Sequence, residues 1–483
     1  MNRLFETPEL ISLICACLDA SYYPRSPDEY CRPGCIPRKS DSQYRGIALV
    51  SRQFYYGLLP YLWESANASD LLEQGMIPSA LTEKNQKSIT HMSTPISCSN
   101  DMIRFRLHTQ YIKHFNFDGN EADFNWDSLA QIATKAELLP NLVTLCSCSQ
   151  SNPDTVSIFL SRSTQKISIS GELRPIYAAN LMQRAACISP GILELELCPH
   201  QPDIASTLDL GLEQLPQVAH GYASLSKLSN LCALVLTPPM LEPPILKLIA
   251  RLPNLSSLKI MPYQYRECFE CSLSTRLPED SFPALRVLYV PFASSRGVKR
   301  FWDFVPLTKL KNLSMYIESI SNNSLAFIAT LCQASPLITQ LELTFPGQSN
   351  GDGERGPYMI GQGAFEHLSG LPLDCIFSLC GAMFEFHGAW TRIANSWNGL
   401  TNINCTYQPT NLDDLIFLSS NLPKLGSISC DFDLEGAVRT VEHNWMPIRT
   451  LPFHPCLKVL DLKQFKLTTE VTASDKYNLS DLA

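Results

Sequence analysis

The sequence predicts an α/β solenoid, a curved parallel sheet with outer helices, capped by a small N-terminal helical module. Three observations predict it. A phrase recurs along most of the chain: an apolar residue, two others, a leucine, two others, then an apolar-x-apolar strand. It reads Leu252-Pro253-Asn254-Leu255-Ser256-Ser257-Leu258-Lys259-Ile260, then Leu307-Thr308-Lys309-Leu310-Lys311-Asn312-Leu313-Ser314-Met315, then Leu422-Pro423-Lys424-Leu425-Gly426-Ser427-Ile428-Ser429-Cys430. Self-similarity at this period marks stacked repeats. Runs between copies, such as Pro244–Leu252 and Ser324–Cys332, space their apolar residues as one face of a helix does. The first 65 residues do not carry the phrase and have a helical pattern of their own.

Taking the first apolar residue of each strand as an anchor gives Phe115, Leu145, Ile167, Leu195, Leu234, Leu258, Leu288, Leu313, Leu341, Ile403, Ile428 and Leu460. Successive anchors lie 22 to 39 residues apart except for one step of 62. That step is close to two units, and a degraded copy fits inside it at Leu368-Ser369-Gly370-Leu371 leading to Cys375-Ile376-Phe377. In Leu-x-Leu the two leucines point to one face because strand side chains alternate. The leucine three residues earlier fills the same layer. One unit cannot bury these residues alone, whereas stacked neighbours make a continuous core. The pattern resembles the irregular leucine-rich repeats, which run roughly 20–29 residues per unit. The asparagine or cysteine that normally follows the strand is mostly missing here. The array is expected over 104–466, after a connecting segment 66–103 and before a polar tail 467–483.

In the N-terminal module Leu10, Ile11, Ile14 and Leu18 share one helix face. Thr7 can cap that helix with Pro8 in its first turn. Ile47, Val50, Phe54 and Leu58 offer a second helix, and Pro60 permits a new helical start carrying Leu62 and Trp63. Between the halves, Ala20–Tyr44 reads as an exposed loop rich in Pro, Arg, Ser, Asp and Gly. The residues Pro8-Glu9-Leu10-Ile11-x-x-Ile14-x-x-x-Leu18, then Ile47-Ala48-Leu49-Val50-Ser51-Arg52-Gln53-Phe54, then Leu62-Trp63-Glu64, resemble an F-box. Thr7 stands where that family has a leading leucine, Ser51 where it has a cysteine, and the 20–44 insertion is long. With the repeats that follow, the chain resembles the F-box/leucine-rich-repeat substrate receptors and the F-box-like proteins common in fungi. The resemblance implies a non-catalytic substrate-recognition subunit of an SCF-type cullin-RING ubiquitin ligase. Pro8, Leu10, Ile11, Ile14, Leu18, Val50, Phe54, Leu62 and Trp63 would then face a Skp-type adaptor or the small F-box core. The alternative is an interaction scaffold in which these nine residues only pack a cap on the solenoid, since terminal repeats need one.

Composition narrows the function classes. A formal charge of −8 disfavours general nucleic-acid binding, which needs a basic face. No apolar stretch is long enough to cross a bilayer. Glu6 and Glu9 stand ahead of the apolar Leu10–Leu18 where a signal peptide carries positive charge, so a cytoplasmic or nuclear location is expected. The 18 cysteines are scattered. Cys146, Cys232, Cys405 and Cys430 occupy positions where a repeat wants a small apolar residue, and free cysteine behaves as one. Cys268-x-x-Cys271 lacks the second ligand pair of a structural zinc site, and Cys31-x-x-x-Cys35 is a weaker signal still. Gly351-Asp352-Gly353-Glu354-Arg355-Gly356 spells a dinucleotide-binding phrase. Pro346–Asn350 separates it from the preceding strand, however, and Asp352 and Glu354 would repel a pyrophosphate. Neither an enzyme nor a cofactor is expected. The face of the sheet between anchors, with Glu194, Glu196, Lys259, Tyr289, Ser314, Glu342 and Asp461, is the expected target-binding surface, concave in a solenoid. Tyr289 is its best anchor.

Overall fold

The Leu-x-x-Leu part of the phrase folds as a tight turn, and the strand starts from it. The second apolar residue returns its backbone N–H to the carbonyl three residues back: Leu142 to Leu139, Leu231 to Leu228, Leu310 to Leu307, Leu400 to Trp397 and Leu425 to Leu422. Both ends of each turn are buried. The computed structural model describes residues 51–68, 100–117, 136–147, 153–171, 175–199, 221–237, 243–261, 276–319, 334–345, 355–432 and 459–463, with positions 10, 11, 13, 14, 71, 129, 130, 133, 331 and 348–349. Of the positions named above, Thr7, Pro8, Leu18, Ile47, Val50, the 20–44 insertion, Cys31, Cys35, Cys268, Cys271 and the tail 467–483 lie outside them. So does the 324–332 run apart from Leu331.

The chain forms two compact units, Met1–Gln264 with Asp280–Leu285, and Tyr265–Glu279 with Arg286–Ala483. The first contains α1 (Arg52–Leu62), β1 (Ser65–Asn67), α2 (Asn100–Thr109), β2 (His114–Phe117), β3 (Thr144–Ser147), α3 (Pro153–Ser157), β4 (Lys166–Gly171), α4 (Pro175–Ile188), β5 (Glu194–Pro199), β6 (Ala233–Leu236), α5 (Pro243–Ile249) and β7 (Ser257–Ile260). Its strands β1 to β7 pair in chain order, each parallel to the next. The second contains β8 (Val287–Ser294), α6 (Ser295–Phe304), β9 (Asn312–Ser319), β10 (Gln340–Thr344), β11 (Gln348–Ser349), β12 (Arg355–Gly356), β13 (Tyr358–Ile360), α7 (Gln362–Ser369), β14 (Ile376–Cys380), β15 (Ala382–Phe384), α8 (Ala389–Ser396), β16 (Asn402–Thr410), α9 (Leu412–Asn421), β17 (Ser427–Phe432) and β18 (Val459–Lys463). Here β8, β9, β10, β14, β16, β17 and β18 form the parallel sheet in that order. One parallel strand per repeat, a buried leucine row and a hydrogen-bonded turn that recurs ahead of the strands make a leucine-rich-repeat fold.

Every anchor read from the sequence lies in a strand, and adjacent anchors stand opposite each other, as Leu234 does Leu258 and Leu313 does Leu341. The degraded copy is β14, with Phe377 opposite Leu341 and Ile403. A shared acceptor joins successive repeats. In the first unit the Lys113 carbonyl accepts from Val143 and Thr144, Val143 from Gln165 and Lys166, Gln165 from Leu193 and Glu194, Leu193 from Cys232 and Ala233, and Cys232 from Ser256 and Ser257. The second unit repeats this with Arg286, Lys311, Thr339, Cys375 and Thr401 as acceptors.

Three copies of the turn open on serine instead of leucine. Ser161, Ser189 and Ser335 are buried, and each hydroxyl donates to the previous repeat, to the carbonyls of Leu142 (3.4 Å), Ser161 (2.5 Å) and Leu307 (3.1 Å) respectively. Ser335 also accepts from Trp302 Nε1 at 3.1 Å. A buried hydroxyl is tolerated when it is hydrogen-bonded. The phrase survives with its leucine gone because the backbone acceptor is always there.

Some expectations are corrected. Pro60 does not start a new helix; α1 runs through it from Arg52 to Leu62. A proline so near the C-terminus forfeits a single intrahelical bond, and Pro60 is exposed. Cys405 and Cys430 are buried opposite each other, but Cys146 and Cys232 are only half-buried. Cys146 is the middle residue of Leu-x-Ser and faces away from the core, while Cys232 precedes its strand and meets the Asn230 carbonyl at 3.2 Å. The sheet also includes a strand without the phrase, β1, paired with β2 ahead of the first anchor. At Gly381, between β14 and β15, φ is +73° and an added Cβ would lie 1.9 Å from the Phe345 carbonyl oxygen, so glycine is required there.

Leu258 is fully buried and its neighbour Lys259 is exposed. Leu258→Asp should cost several kcal/mol by placing an unpartnered charge in the core layer, whereas Lys259→Asp should stay within about 0.5 kcal/mol. Paired denaturant titrations check this, and equal damage from the two would mean the register is wrong.

Candidate interaction surfaces

Two surfaces follow from this framework, the helical head and the outward face of the sheets. In the head, Ser51 caps α1 by accepting from the Phe54 N–H at 3.2 Å. Serine is a strong N-cap, which gives this departure from the F-box phrase a local role. Ile11, Phe54 and Leu58 form a buried cluster with Ile14, Tyr61 and Leu62 packed on it. Of the described residues expected to face an adaptor, Ile11, Phe54 and Trp63 are therefore buried, and Leu10, Ile14 and Leu62 are half-buried. The exposed apolar side chains are others, Leu13 at 61% and Tyr56 at 54%. Helical residues turn about 100° each. Leu13 therefore stands across the helix from Ile11, and Tyr56 across α1 from Phe54.

The head is tied to the repeats through one aromatic joint. Trp63, 7% exposed, lies with its ring centroid 5.1 Å from that of His108 on α2. His108 Nδ1 meets the Arg104 carbonyl at 2.7 Å, which makes it the donor and leaves Nε2 to accept from the Tyr55 hydroxyl at 2.8 Å. Burial lowers the His108 pKa below its ordinary 6.5; the Arg104 carbonyl opposes this, and the Arg104 charge adds to it. Two residues beyond Trp63 the chain enters β1, and Glu64 accepts at 2.9 Å from both Lys113 and His114.

On the first sheet, the outward residues align in rows. Lys166 and Glu194 are opposite each other and form an ion pair at 2.7 Å, and Ser168 donates to Glu196 at 2.6 Å. Burial would lower the Lys166 pKa, but the bond to Glu194 and the charges of Glu194, Cys146 and Glu196 outweigh it and leave it raised. Both predicted acids are thus engaged within the surface. Lys259 is exposed further along it.

On the second sheet, one row runs Tyr289, Ser314, Glu342, Ser378, Asn404, Ser429 and Asp461, each opposite the next. It contains four of the seven predicted target-binding residues; the Asp461 side chain lies outside the described set. Tyr289 is half-buried, and burial followed by the Glu342 charge raises its pKa. Glu342 is exposed. Ser378, Asn404 and Ser429 have no charge or length to draw attention in a sequence. What distinguishes the last two is that Asn404 Oδ1 and Ser429 Oγ are buried with no hydrogen-bond partner in the protein.

Other candidate chemistry does not assemble among the described residues. Arg355 and Gly356 of the glycine phrase form β12, antiparallel to β11, and a further strand follows where a nucleotide site needs a helix. Among the described residues no His, Cys, Asp and Glu side chains gather into a group able to hold a metal ion, and no helix is long and apolar enough to cross a membrane.

No protein-family model matches the chain, and no curated protein does. Among solved structures it is similar to the leucine-rich repeat-containing protein LegL7 from Legionella pneumophila, at 14% identity and a TM-score of 0.35, over 64% of this chain and 99% of that one. It is also similar to the plant peptide hormone receptor RGFR1, solved in complex with RGF2, at 12% identity and a TM-score of 0.28, over 66% of this chain and 50% of the receptor.

The lowered His108 pKa carries a sign. The unfolded chain binds a proton at His108 more readily than the folded one, so stability is full above about pH 6.5 and is lost as pH falls through the lower folded value. The Tm should therefore fall between about pH 7.5 and about pH 5, and His108→Phe should shrink the drop. Thermal melts followed by tryptophan fluorescence read this, and an unchanged drop would remove His108 as its source.

Proposed function

We propose that the chain is a non-catalytic interaction subunit of an SCF-type cullin-RING ubiquitin ligase. In this reading the head docks on a Skp-type adaptor and the repeat sheets hold a target protein. The gain would be effective concentration, a target tethered near the ligase's conjugating machinery. The observation that carries the reading is the head's own small core. Ile11, Phe54 and Leu58, three positions of the F-box-like segment, pack together, while Leu13 on the same helical turn stays 61% exposed. In this reading Leu13 and Tyr56, the latter 54% exposed, are the apolar side chains left for the adaptor.

A second reading has its own support. Trp63 is buried against His108 and the chain then enters β1, which is how a cap on a repeat array is built. In that reading the protein is a leucine-rich-repeat interaction scaffold, and the head only closes the core.

The two differ on Leu13. The intact chain should capture a Skp-type adaptor and, through it, a cullin. Leu13→Asp should abolish that capture with Tm unchanged, because an exposed position tolerates charge within about 0.5 kcal/mol. Affinity purification with quantitative mass spectrometry measures both proteins. Absence of adaptor with the intact chain would sink the ligase reading and leave the scaffold with a cap.

A further inference from the structure

We propose that the row Tyr289, Ser314, Glu342, Ser378, Asn404 and Ser429 binds an extended basic peptide segment laid across the strands, its N–H groups donating to Glu342, Asn404 and Ser429. This rests on the reading of the sheets as partner-binding surfaces and adds the class of partner. The register aligns these six residues on consecutive strands. At about 4.8 Å per strand the row spans about 24 Å, the length of about seven extended residues.

What the row offers is hydrogen-bond acceptors. Asn404 donates one Nδ2 hydrogen to Cys380 Sγ at 3.4 Å, and its acceptor, Oδ1, is unused. That oxygen is buried without a partner, and so is the hydroxyl of Ser429, a residue only 9% exposed. The two stand directly opposite each other. Two further such atoms, on Ser147 and Thr237, belong to the first unit. Leaving a buried polar atom unpaired is destabilising, and a donor reaching it recovers the loss.

Charge selects among donors. Glu342 is exposed. The flanking rows, Val287, Asn312, Gln340, Ile376, Asn402 and Ser427 on one side and Tyr316, Thr344 and Cys380 on the other, include no lysine or arginine. An incoming cation therefore meets no like charge from these positions, whereas an acidic strand such as a nucleic acid is repelled by Glu342. Ser314 leaves a low step between the Tyr289 ring and the Glu342 carboxylate, where an arginine stem can lie against the ring.

The test uses the full chain and two fluorescein-labelled peptides about eight residues long, one alternating Arg with Ser and one alternating Glu with Ser, read by fluorescence anisotropy. The Arg peptide should bind and the Glu peptide should not. Glu342→Gln and Ser429→Ala should each weaken the Arg peptide about fivefold to tenfold. Neither should lower the Tm, since Ser429 Oγ holds no protein partner and Glu342 is exposed. Equal binding of the two peptides, or Arg-peptide binding indifferent to both substitutions, would overturn the proposal. A photo-crosslinking residue in place of Ser314 separates the failures. A protein captured there without Arg-peptide binding would overturn the peptide class and leave the sheets as a partner surface. Neither capture nor binding would overturn both.

Discussion

Most strands in these sheets are placed by a carbonyl of the repeat before them. One oxygen accepts two successive N–H groups of the next repeat, and the same joint recurs along each unit. Because strand side chains alternate, a slip of one residue would turn every core leucine outward. The shared carbonyl and the buried anchors therefore enforce each other. Their joint consequence is the aligned outward face. A row such as Tyr289 to Ser429 exists because residues many positions apart are held at one register.

The same joint explains how loosely the repeat phrase can be written. Where leucine is replaced by Ser161, Ser189 or Ser335, the hydroxyl finds a backbone carbonyl of the neighbouring repeat. Variable connectors are then compatible with constant stacking. Gly381 is an exception to this latitude, since the close approach of the Phe345 carbonyl leaves no room for a side chain.

The head stands between two physical roles. Its helical segments share a core of Ile11, Phe54 and Leu58, as a small module with its own partner would. Its last residues, Trp63 to Asn67, are packed and paired into the repeat sheet, as a cap would be. Trp63 is buried beside His108 while Leu13 stays exposed, so the two roles draw on different residues of the module. The polar part of that packing runs from the Tyr55 hydroxyl through the His108 ring to the Arg104 carbonyl.

The sequence by itself determined the repeat, the anchors and their shared face, because a leucine row that no single unit can bury has only stacking as a solution. It also marked the degraded copy at Phe377, and it separated the outward residues Lys259, Tyr289 and Glu342 from the core by simple alternation. Tertiary structure decided the rest. β1 has no leucine phrase and joins the sheet through backbone pairing, which side-chain patterns do not record. Cys146 and Cys405 look alike in composition, and one residue of register sends the first outward and the second into the core. The engagement of Glu194 by Lys166, and the unpartnered Oδ1 of Asn404 and Oγ of Ser429, depend on which repeats are neighbours and at what offset. Such pairings are properties of the stack, and a single strand read alone does not contain them.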